Sequence, residues 1–265
     1  MASSTERVPG LNCPVTADTV DKSREMHVAV IPEHSRMRFN HKYRHDLLPK
    51  DTDRPSPEAH LPSLKKILLT YNVHEKYGFH KPHRHLDELG ENRIFLGTTL
   101  TEPLLCRWTR AQHIDDVDLN EIHAHLLVFY KGKLIPYEYH KGLHTGNMPK
   151  ECLDELLQYF EKHSLCFEFA LQALLPEFTG RLMSEIDLGN QTLMLEAKYL
   201  NCLKPGNTTG WIVSPQGCTV GETHGTTPDG KHVTVNKGAP LPDDLSGICK
   251  LLIEQDLVHS HCLTA

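Results

Sequence analysis

The stretch EIHAHLLVFYKGKLIPYEYH, Glu121 to His140, decides how the rest of the chain is read. Two β-prone runs flank Lys131-Gly132, a pair suited to a tight turn with positive φ, so the segment predicts a β-hairpin. In the first arm His123 and His125 are two residues apart, which on an extended strand places both imidazoles on one face. Ile122, Ala124 and Leu126 then form the opposite, apolar face. That pattern sets the histidines away from the main core, in a cleft. Pro136 cannot donate to a central ladder, so the second arm is expected at a sheet edge or with a bulge.

On the C-terminal side the period changes. PKECLDELLQYFEKH puts Leu153, Leu156, Leu157 and Phe160 on one stripe, with Pro149 suited to the first turn of a helix. SLCFEFALQALLPEF is apolar nearly all round and is expected to continue as a second, buried helix ending near Pro176. Strand signals return in QTLMLEAKYL, GWIVSP, GCTVGETHG and KHVTVN, with Thr227-Pro228-Asp229-Gly230 as a turn before the last. A final helix is expected from Asp243 to about Gln255.

Toward the N-terminus, NRIFLGTTL and LLCRWT read as two strands around Pro103. SLKKILLTYNVHEKYG predicts a helix with Ser63 as N-cap, Leu64, Ile67, Leu68 and Tyr71 on one face, and Gly78 as its stop. Residues 1–60 are polar and broken by prolines; only MHVAVI, Met26 to Ile31, could add a strand. The order lacks βαβ repetition. It implies an α+β fold, a mostly antiparallel sheet with packed helices and a long irregular N-terminal extension over 1–60. Residues 61–265 then make a single α+β catalytic or ligand-binding domain.

Charge and composition exclude several classes. Lys plus Arg number 28 against 34 Asp plus Glu, for a net charge of -6, and no basic stripe interleaved with aromatics offers a nucleic-acid footprint. No apolar run reaches the length of a membrane span. The eight cysteines include no CxxC pair and the first residues carry no secretory leader pattern, so a reducing, cytoplasmic setting is expected. No GxGxxG, phosphate-loop or GxSxG pattern occurs, so no nucleotide cofactor is suggested. Cys218 follows Gly217 but brings no base with it.

Histidine is the compositional anomaly: 19 in 265 residues, nine of them from His74 to His144. A second His-x-His pair, His83 and His85, lies in GFHKPHRHLDELGE with Asp87, Glu88 and Glu91 behind it. The order Gly78, His83, His85, Glu88 resembles the first motif of the cupins. Four residues rather than five separate Gly78 from His83, and two rather than three or four separate His85 from Glu88. No second motif with Pro-x-Gly and a later histidine follows, so the chain is placed in no family. The resemblance implies only a β-supported His/Glu metal site.

Neutral imidazole suits a divalent transition metal, iron or zinc, and His83, His85, His123 and His125 are the candidate ligands. Glu88, Glu222 and His224 are the candidate acid/base residues; the last two share a strand face in GCTVGETHG. His113, Asp115 and Asp116, and the His45-Asp46 doublet, read as surface polar groups. The expected function is a metal-dependent small-molecule enzyme, with oxidoreductase, lyase and hydrolase chemistry all open. Two alternatives stand beside it: a metal-independent His/Glu acid-base isomerase or lyase, and a non-catalytic ligand-binding or protein-interaction domain. The partner is a small-molecule substrate, and the N-terminal arm leaves a homo-oligomer open.

Overall fold

The computed structural model describes residues 48–49, 57–85, 89–142, 147–231, 235 and 240–260. The Met26–Ile31 strand, the His45-Asp46 doublet, Glu88 and most of KHVTVN lie outside them.

The hairpin forms as expected. Strand β4 (Ile122–Tyr130) pairs antiparallel with β5 (Lys133–Lys141), and Lys131 and Gly132 make the turn with φ of 48° and 72°. The register slips between Ala124 and Leu126 and again before Leu127, which pairs with Pro136. The proline therefore sits at a bulge, where its missing N–H costs no ladder bond. The extra residue at the first slip is His125.

Beyond the hairpin the expected architecture is overturned. The other strands are β1 (Tyr77–His80), β2 (Arg93–Leu100), β3 (Cys106–His113), β6 (Ala170–Ala173), β7 (Met183–Asp187), β8 (Gln191–Glu196), β9 (Lys204–Ser214) and β10 (Gly217–Thr226). All ten close into one barrel in the order β1-β6-β4-β5-β2-β3-β8-β7-β10-β9. The α+β sheet with packed helices is thus replaced by a closed barrel carrying three short α-helices among the described residues: α1 (Leu61–Thr70), α2 (Lys150–Lys162) and α3 (Leu245–Glu254). Eight junctions are antiparallel; β2 with β5 and β7 with β10 run parallel. Those two non-local pairings let the hairpins meet around a ring, and closure leaves no exposed edge.

Two helices were misplaced by local pattern. Helix α1 starts at Leu61 rather than after Ser63, because Pro62 fits the first turn, and it ends at Thr70 with Tyr71 as its C-cap. Gly78 lies inside β1 instead of stopping a helix. The apolar run after Ser164 holds strand β6, not a second helix; Phe169, Leu171 and Ala173 pack outward while Gln172 turns the other way. An apolar run of that length cannot by itself distinguish a buried strand from a buried helix.

The core lies mainly on the outer wall. Leu64, Ile67 and Leu68 of α1 and Leu153, Leu156 and Phe160 of α2 cover Phe79, Ile122, Ala124, Leu127 and Trp211 on one side. Helix α3, capped by the Asp244 carboxylate accepting from Gly247 N–H, covers Cys106, Trp108, Ile186 and Leu193 on the other. Strand alternation then sends the remaining side chains into the lumen. No described helix is long and apolar enough to cross a membrane.

Candidate metal centre

The lumen is filled with ionisable groups. His80, His83, His123, His125, Arg107, Glu138, His140, Glu185, Glu222 and His224 are all buried. Isolated charges at such depth would be prohibitive, so pairing and hydrogen bonding must hold them.

Three residues converge most closely. Ligand atoms of His83, just beyond β1, Glu185 on β7 and His224 on β10 all lie within 4.8 Å of one another. His83 Nε2 is 3.0 Å from His224 Nε2 and 3.9 Å from Glu185 Oε1. Donors bound at about 2.0–2.1 Å to one tetrahedral ion stand about 3.3 Å apart, so the spacing fits a metal with small adjustments. The tautomer fits too. His83 Nδ1–H donates to the Lys81 carbonyl at 2.8 Å, which leaves Nε2 as a bare lone pair facing His224. Burial, then the neighbouring His85, lowers the pKa of His83 and keeps it in the neutral, ligating form.

His85 supports this group from behind. Its Nδ1–H donates to Glu185 Oε1 at 2.9 Å, and its Nε2 lies 3.6 Å from Glu138 Oε2. Burial would lower its pKa, but the Glu185 and Glu138 carboxylates outweigh that and raise it to about 9. Burial likewise pushes Glu185 up, and the charge and hydrogen bond of His85 overcome it, holding the carboxyl well below the usual range. The result is a carboxylate oriented by an imidazolium, the kind of outer contact that fixes a ligand's position.

The other predicted residues occupy a second wall of the lumen. His123 Nδ1–H donates to the Gly142 carbonyl at 2.7 Å, and its ring lies 5.5 Å from that of His140. His125 accepts from Arg107 Nη1, so the two His-x-His pairs share the lumen while only His83 joins the converging group. Burial, then Arg107, holds His125 well below its ordinary pKa. Glu222 accepts from Arg107 Nη1 at 3.1 Å and Gln172 Nε2 at 2.8 Å. His113 and Asp115 pair at 3.5 Å in an exposed position, outside the barrel chemistry.

A cavity of about 440 Å³ reaches this region, with Arg107, His125, Gln172 and Glu222 at its polar end and Phe178, Met183 and Ile212 on its apolar wall. Glu222 precedes His224 by two residues on β10, so the cavity ends roughly 7 Å along the strand from the converging group.

Sequence reading missed Glu185, Arg107, His80, His140 and Glu138. His80 stands within the same histidine-rich stretch as His83 and could have been included. Glu185 has no such signal; it is one of two acids in a five-residue strand. No family model matches the chain, and no curated protein or solved structure matches it at a significant level.

Proposed function

We propose that this protein is a small-molecule enzyme built on one divalent transition metal, iron or zinc, held by His83, His224 and Glu185. The observation that carries the reading is the convergence of two imidazole nitrogens and a carboxylate oxygen within 4.8 Å inside a closed barrel. Three protein donors leave coordination positions open, as catalytic rather than structural sites do. The same donor set serves oxygen chemistry with Fe(II) and hydrolytic or lyase chemistry with Zn(II), and the metal selects between them. When bound, the ion would polarise a substrate oxygen or activate a water.

The chain's own groups supply the rest. The Lys81 carbonyl and the His85 imidazolium orient His83 and Glu185. The cavity admits a substrate with an apolar body against Phe178, Met183 and Ile212 and a polar end toward Arg107 and Gln172. The Cys106, Cys152, Cys202 and Cys218 thiols are free, which supports a reducing, cytoplasmic setting.

The test is metal content by mass spectrometry on full-length protein purified without chelator, with His224→Asn and Glu185→Gln alongside. Near-stoichiometric iron or zinc that falls at least tenfold in both variants is expected. A folded wild-type protein that takes up neither zinc nor anaerobic iron(II) would sink the proposal. The 3.0 Å contact between His83 and His224 would then be an N–H···N hydrogen bond, and a metal-independent acid-base site would be the reading left.

A further inference from the structure

Beside the converging group stands a second pair of donors with no role so far. His80 closes β1 and Glu222 lies on β10; His80 Nε2 and Glu222 Oε2 are 3.5 Å apart, with side-chain exposures of 1% and 10%. Neither atom has a hydrogen-bond partner among the described residues. Their other polar atoms are held: Glu222 Oε1 by Arg107 and Gln172, and His80 Nδ1 by the Tyr137 hydroxyl at 3.4 Å. A buried polar atom left unpaired is costly, and here two face each other. At 3.5 Å they are too far apart for a strong direct bond, yet they match the roughly 3.3 Å between two donors on one tetrahedral ion.

We propose that His80 and Glu222 hold a second divalent cation next to the first, so that the lumen is a two-metal centre acting on an oxyanion substrate. The proposal rests on the metal reading given above. Adjacency comes from both strands: the His80 ring stacks 5.2 Å from that of His83, and Glu222 is two residues from His224. Two-metal sites place their ions about 3.5–4 Å apart, where both can contact one substrate oxygen. The pattern of support matches as well, since each donor points one atom at the proposed ion and anchors the other on a neighbour. Glu222 also lines the cavity, so a substrate reaching its polar end meets the second ion directly. The charge balance names the substrate class. Two dications with the Arg107 guanidinium outweigh the carboxylates of Glu138, Glu185 and Glu222, and an anionic oxygen group on the substrate offsets the excess.

Metal-free full-length protein titrated anaerobically with Co(II), followed by absorption and by metal analysis after gel filtration, tests this. Wild type is expected to saturate at two equivalents. Glu222→Gln and His80→Asn should each saturate at one and keep the absorption band of the first site. Wild type saturating at one equivalent overturns the second ion and leaves the first intact; uptake of none overturns both. Two equivalents retained by both variants would place the second ion elsewhere and overturn the assignment. Should either variant fail to fold, the wild-type count decides.

Discussion

Glu185 faces two ways, toward His83 as a prospective ligand and toward His85 as a hydrogen-bond acceptor. Those roles separate in mutants. His85→Gln keeps a donor but loses the imidazolium, so metal should still bind at full stoichiometry with an affinity lowered 10–100-fold, the usual cost of an outer-layer contact. Glu185→Gln should abolish tight binding. Competition against a chromophoric chelator measures both, and equal losses in the two variants would mean that His85 is itself a ligand. His83 was legible from its His-x-His spacing with His85, and His224 from its place two residues after Glu222 on a strand-patterned segment. Glu185 was not, since a lone glutamate in MSEID looks like any acid on a half-exposed strand until its neighbours across the barrel are known.

At the scale of elements, β1 shows how tightly the barrel wall fixes the site. A Cβ at Gly78 would stand 2.6 Å from the Trp211 carbonyl oxygen on β9, a backbone atom that cannot swing aside. Gly78→Ala should therefore destabilise the fold by about 1–3 kcal/mol, read as a lower urea midpoint at unchanged slope. It should also weaken metal binding, because His80 and His83 follow within five residues. Stability within 0.5 kcal/mol of wild type would contradict the close β1–β9 approach. The hairpin at β4 and β5 was readable because turn chemistry and alternation are local. The β6 run was not, because its inward Gln172 is one of few polar interruptions in an apolar stretch whose outward neighbours could equally pack a helix.

For the whole molecule, the buried neutral histidines set the response to acid. Burial, then Arg107 and His123, lowers His140 to about 3, and burial with Arg107 or with His83 and His85 holds His125 and His80 well below normal. In the unfolded chain these rings titrate near 6.5. Between that value and about 3 the unfolded state binds more protons, so stability is present above pH 6.5 and is lost as pH falls. Each such histidine steepens the loss by about 1.4 kcal/mol per pH unit. Thermal melts of metal-free protein from pH 7 to 4 should show a steep decline that His140→Gln makes shallower; a flat profile would mean these rings are protonated in the folded state.

The sequence by itself determined the hairpin, most strands, the α2 stripe and the C-terminal helix, and it marked histidine as the unusual feature, because turn residues, alternation and composition act over a few neighbours. Only the tertiary structure decided that the strands close into a barrel, that the apolar layer lies on its outer wall, and that Glu185 meets His83 and His224. Those outcomes depend on the parallel β2–β5 and β7–β10 junctions, which join residues 43 and 39 positions apart at Gly97↔His140 and Ser184↔Thr223, against the preference of sequential elements to be neighbours. Nothing in a short window of sequence carries the free energy of a contact made across that distance.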